Sequence, residues 1–142
     1  MTAASGYADP RALLSLLPFV SELGIRIVSA EPGAVVVEMP FAARFSTPPN
    51  HFPASMVGTL GDVAAVSSCT SKLPNGWAGA TLDYTVKMTA PAQGEKLLAR
   101  GRVLQTGQTT SVGAADIFAV SGGIEVLCGT VLATARSFRL RD

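Results

Sequence analysis

Apolar and polar positions divide the chain into segments that predict its elements. Asp9-Pro10 precedes Arg11, Ala12, Leu13, Leu14, Leu16 and Leu17. That order predicts a first helix, with Asp at the N-cap and Pro at the first helical position, limited by Pro18 and Gly24. Residues 25–30 (IRIVSA) predict a strand, Glu31-Pro32-Gly33 a turn, and residues 34–39 its hairpin partner. Residues 40–53 hold four prolines (Pro40, Pro48, Pro49 and Pro53) with Asn50 and His51, and read as a loop. Loops of that length are often functional.

Residues 53–72 predict a second helix, with Pro53 suited to its first turn. Met56, Val57, Leu60, Val63 and Ala64 form its apolar stripe, and small residues dominate the rest. Gly58 and Gly61 inside it each cost about 1 kcal/mol relative to Ala, a cost that close approach by another element usually offsets. Leu73-Pro74-Asn75-Gly76 ends the helix. Residues 77–89, 96–104, 109–120 and 124–136 then read as strands joined by Gly-containing turns. The order predicts an α+β fold: one long central helix wrapped by a curved antiparallel sheet ending in a meander, plus an N-terminal helix.

Composition narrows the class. The 142 residues are 48% hydrophobic and 15% charged, with formal net charge +1. Such a chain is too apolar for disorder and of a length for one domain, residues 1–142 with a core at about 23–137. Nearly balanced charge excludes a broad basic field for nucleic acid. Charge well below the usual ~25% points to an oligomer or a membrane. No run reaches the ~18 apolar residues of a membrane span, and residues 1–8 lack the basic start of a secretory signal. The expectation is a cytoplasmic homo-oligomer. Cys69 and Cys128 have neither disulfide-framework nor metal-site spacing, so neither metal nor cofactor is expected.

Candidate chemistry centres on Asp62, the only charged side chain between residues 52 and 71. A carboxylate buried in such a helix must find a partner or titrate upward, as a general base does. His51, the only histidine, lies just before this helix and reads either as a base or as a loop residue. Pro53-Ala54-Ser55 opens the helix and offers free N–H groups at the positive dipole end. Nucleophile-elbow, Walker, dinucleotide and zinc patterns are absent from the sequence.

From about Leu23 to Ala135 the chain resembles hotdog-fold acyl-CoA thioesterases of the PaaI-like family. Residues 53–62 (PASMVGTLGD) match that family's helix-opening H-G-G-x6-[D/E], with Pro53-Ala54-Ser55 in place of His-Gly-Gly. Residues 81–91 (TLDYTVKMTAP) match its T-x-D strand. Gly94-Glu95, the hairpin at residues 105–109 and the opening at residues 31–39 match as well. The resemblance implies hydrolysis of an acyl-CoA at an interface between subunits. Asp62 would activate water or attack the thioester, and the Ser55 N–H would polarise the carbonyl. Thr81 would come from the partner subunit. Thr47, Asn50, His51 and Ala54 would line the substrate site. Gln108 replaces a basic residue usual for CoA phosphates, leaving Lys72, Lys87 and Arg102 as alternatives. Two further readings stand beside this one: a non-catalytic acyl-CoA-binding protein, and a beta-hydroxyacyl dehydratase using His51 and Asp62.

Overall fold

The 17-residue helix α3 (Ala54–Thr70) organises the structure, a computed structural model that describes residues 6–47 and 49–141. Pro48 of the predicted loop and residues 1–5 of the predicted N-terminal segment lie outside the described residues. Before α3 come two short helices, α1 (Pro10–Leu14) and α2 (Pro18–Glu22), then strands β1 (Arg26–Glu31) and β2 (Ala34–Pro40). After it come β3 (Trp77–Met88), β4 (Lys96–Thr106), β5 (Thr110–Ser121) and β6 (Ile124–Arg139).

The expected first helix is two helices. Asp9 caps α1 by accepting from the Arg11 N–H at 3.0 Å. Pro18 then forces Leu17 into an extended conformation (φ −100°, ψ 111°), because a residue before proline avoids helical geometry. In α3, Pro53 is the N-cap and not a helical residue, with φ −66° and ψ 156°.

All six strands are antiparallel, in the order β1-β2-β4-β5-β6-β3. Only β4-β5-β6 form the expected meander. β3 does not pair with β4 but lies at the far edge beside β6. The segment around Ala90–Gly94, predicted as a tight turn, is instead a crossover between distant strands. It is pinned to the entry of α3 by the Phe52 N–H donating to the Ala92 carbonyl at 2.8 Å.

α3 packs on strands β2 to β6 and is buried on nearly all sides from Val57 to Thr70. Val35 and Val37 of β2, Leu97 and Ala99 of β4, Ala115 and Ile117 of β5, and Val131 and Ala133 of β6 meet it. Glycines set the spacing. A Cβ at Gly101 would stand 2.3 Å from the Ala64 carbonyl oxygen, and one at Gly113 2.6 Å from that of Ala65. At Gly61 the obstruction is the Val131 side chain, at 2.4 Å. The close backbone approach expected at the helix glycines therefore belongs to the sheet glycines, while Gly61 makes room for a side chain.

The serines and threonine of α3 and its cap bind the sheet. Ser68 Oγ donates to the Ala64 carbonyl and accepts from the Val35 N–H at 3.0 Å. Ser71 Oγ accepts from the Gly33 N–H, and Thr70 Oγ1 from the Gly79 N–H. Strand ends that α3 crosses thus find partners, as buried backbone groups require. On the opposite face of the sheet, Glu38 joins Arg26 and Lys96 across β1, β2 and β4. Among the described residues no helix is long and apolar enough to cross a membrane.

Candidate active site

Asp62 breaks the apolar interior halfway along α3. It is the one residue between Leu60 and Ser71 that is not buried, and it faces the start of β3. Thr81 Oγ1 donates to Asp62 Oδ1 at 2.8 Å. The register of β3 slips between Thr81 and Asp83, immediately after this contact. Such bulges re-aim side chains, and Thr81 lies opposite Ala135 on the helix-facing side of the sheet. The resemblance placed Thr81 on a partner subunit; the structure brings it to Asp62 of the same chain. Burial pushes the Asp62 carboxyl above the ordinary carboxylate range, against the lowering effect of the Thr81 hydroxyl. The Thr81 bond occupies Oδ1, so Oδ2 is the oxygen left for a water or a substrate.

Asp62 and Thr81 stand at an apolar pocket of about 320 Å³. Helices α1 and α2 and the link between them contribute Leu14, Leu17 and Phe19 to its wall, α3 contributes Val66, and β6 with its tail contributes Phe138 and Leu140. Among the described residues, Asp62 is the only ionisable group lining it. A polar atom pair at the edge of an apolar cavity is the arrangement expected of a small-molecule site. Sequence reasoning missed the part played by α1 and α2. Its signal was present in Leu13, Leu14, Leu16 and Leu17, too many apolar positions for a helix covering a core with one face.

The other candidates gather at the N-terminal end of α3. The first bond into the helix runs from the Met56 N–H to the Pro53 carbonyl, leaving the Ala54 and Ser55 N–H groups ahead of the ladder. Both residues are exposed. Thr47 and His51 exchange backbone hydrogen bonds of 2.9 and 3.0 Å, closing a small loop in which Asn50 has φ +58°. His51 Nδ1 is bonded to the Pro49 carbonyl at 2.8 Å. Asn50 and His51 thus hold a loop shape at the helix entry. Ser55 stands seven positions before Asp62, about 10 Å of helix rise. His51 lies ahead of the helix and is not among the residues that line the pocket at Asp62.

Among the described residues no group of His, Cys, Asp and Glu is placed to hold a metal ion. Burial pushes the thiols of Cys69 and Cys128 up to about 11, which makes them poor nucleophiles at neutral pH. Of the cations considered for CoA phosphates, Arg102 pairs with Asp116, and Lys72 stands over the Tyr7 ring at 5.5 Å. Lys87 is exposed on β3.

No protein-family model matches the chain, and no curated protein matches it. Solved structures do. A thioesterase family protein from Silicibacter pomeroyi has 28% identity and a TM-score of 0.87, covering 92% of this chain and 96% of its own. A thioesterase from Haemophilus influenzae has 21% identity and a TM-score of 0.79, covering 94% and 93%. A phenylacetic acid degradation-related protein from Ralstonia eutropha has 20% identity and a TM-score of 0.75, covering 89% and 98%. The last two likenesses bear on the fold alone. All three agree with a hotdog fold, and the first supports a thioesterase-superfamily assignment.

Proposed function

We propose that this hotdog-fold chain hydrolyses an acyl-CoA thioester, with Asp62 as the base that activates water. The observation that carries the reading is one carboxyl, raised by burial and held by Thr81, at the edge of an apolar pocket. A base must sit near the working pH and within reach of its proton. Asp62 Oδ2 would take a proton from water as its oxygen adds to the thioester carbon. The negative charge then develops on the carbonyl oxygen, where fixed N–H donors act most strongly. Collapse expels the CoA thiolate, which takes up the proton, leaving a free acid.

The helix opening supplies such donors at Ala54 and Ser55, but at a distance. About 10 Å of helix rise separates Ser55 from Asp62 in one chain. The donors that meet Asp62 are assigned to α3 of a second copy, as the resemblance implies for a site between subunits. Support comes from β3, a 12-residue edge strand whose outer side has no neighbour in the sheet among the described residues and which exposes Leu82 (58%), Tyr84 (40%) and Met88 (41%). A long apolar edge invites pairing with another chain. The low charge content agrees with surface hidden in an oligomer.

Asp62→Asn tests the reading by thiol release from acyl-CoA substrates. The expected result is a folded dimer with turnover reduced about 10²- to 10⁴-fold, the usual contribution of a general base. Undiminished turnover refutes the role of Asp62. Binding of acyl-CoA by the wild-type protein with no release for any chain length would establish the non-catalytic reading, which the replacement of His-Gly-Gly by Pro53-Ala54-Ser55 favours.

A further inference from the structure

The pocket beside Asp62 has walls that the fold does not need. Leu16, Leu17 and Phe19 line it while 73%, 40% and 43% exposed, and α1 and α2 together bury only Pro10 and Val20. Exposed apolar side chains facing one cavity gain by receiving an apolar ligand, which removes them from water. The cavity lies directly against the Asp62–Thr81 pair, so a ligand anchored at that carboxyl enters it without a turn through solvent. Its 320 Å³ is about twice the ~150 Å³ apolar cavity that admits benzene, which gives room for roughly a dozen carbon atoms.

We propose that this pocket holds the acyl group of a medium-chain substrate, of roughly eight to twelve carbons, and that Leu16 and Leu17 are specificity-determining residues. The assignment rests on the thioesterase reading for its thioester, but the pocket has its own readout. α1 and α2 form a separable wall: side chains there change the volume offered to the acyl group without entering the sheet core. The polar end of the ligand stays at Asp62, and its carbon tail lies among Leu14, Leu17, Phe19 and Val66.

The experiment measures kcat/KM for acyl-CoAs from butyryl to tetradecanoyl, with phenylacetyl-CoA as an aryl comparison, on wild type and on Leu16→Ala/Leu17→Ala. Wild type is expected to gain about fourfold per added CH₂ up to about ten carbons, the usual worth of a buried methylene, and then to level off. The double variant is expected to lose at least about tenfold in the decanoyl-to-butyryl ratio. Titration calorimetry of decanol, whose hydroxyl can donate to Asp62, into wild type and the double variant gives the second readout, with weaker binding to the variant expected. Decanol binding that depends on the two leucines, with no hydrolysis of any thioester, would uphold the pocket and refute hydrolysis. Hydrolysis with a flat chain-length profile, a ratio unchanged in the variant, or a preference for phenylacetyl-CoA would overturn the medium-chain assignment.

Discussion

Gly61→Ala tests how closely the sheet fits the central helix. An added Cβ would stand 2.4 Å from Val131 Cγ2, and 2.9 Å from both Val131 Cβ and Ile117 Cδ1. Val131 is 1% exposed and Ile117 fully buried, so neither swings into solvent. Val is also stiff about χ1. Overpacking of this kind costs about 1–3 kcal/mol, and the depth of the overlap puts this case near the upper end. Replacing a helical Gly with Ala returns about 1 kcal/mol. The net expectation is a loss of about 2 kcal/mol. Val131→Ala removes the closest atom, while the Cβ at position 131 and Ile117 Cδ1, both at 2.9 Å, still have to shift by a few tenths of an ångström. In that background the Gly61→Ala loss should shrink to below about 1 kcal/mol, a coupling of at least about 1 kcal/mol. Urea unfolding of the four proteins in the cycle measures it. Additivity within about 0.5 kcal/mol would show that Val131 is not what excludes the methyl group. Gly101 offers no equivalent rescue, because its obstruction is the Ala64 backbone carbonyl.

Thr81→Val removes the hydrogen bond that favours the charged carboxyl and leaves burial unopposed, so the Asp62 pKa rises further. A base works only when ionised; the acid limb of the thiol-release profile should therefore move to higher pH, with Thr81→Ser restoring it. A uniform loss at every pH would mark Thr81 as merely structural. Asn50, read from the sequence as a substrate-site residue, stands in the left-handed region at φ +58°. Asn50→Gly should therefore keep both stability and turnover, while Asn50→Ala should cost roughly 1 kcal/mol in denaturant unfolding. Turnover lost in Asn50→Gly would show that the Asn50 side chain acts on the substrate.

Local signals carried most of the fold. Asp9-Pro10, Glu31-Pro32-Gly33 and Ser121-Gly122-Gly123 mark a helix start and two hairpins where the structure has them. The position of β3 was not legible, because nothing in a strand's own residues tells which neighbour it pairs with. The crossover at Ala92 depends on a backbone hydrogen bond to Phe52, which no side chain announces. Asp62 stood out for the same reason it matters: one carboxyl in an otherwise uncharged helix. The resemblance gave Thr81 a part in the site from another chain; its bond to Asp62 within one chain was not legible, since the bulge beside Thr81 arises from sheet register. The N-terminal wall of the pocket went unseen because apolar residues near a chain start read equally well as core.

The central claim is that hydrolysis joins Asp62 of one subunit to the helix opening of another. Complementation tests it most directly. Asp62→Asn and Ser55→Pro, the latter removing one N–H at a position where proline is tolerated, are each expected to be inactive as homodimers. Co-expressed with different tags, they form mixed dimers in which one of two sites regains both an intact Asp62 and an intact Ser55. Random pairing then restores about a quarter of wild-type thiol release, the share set by two-fold symmetry. A purified mixed dimer no more active than its parents would contradict the account.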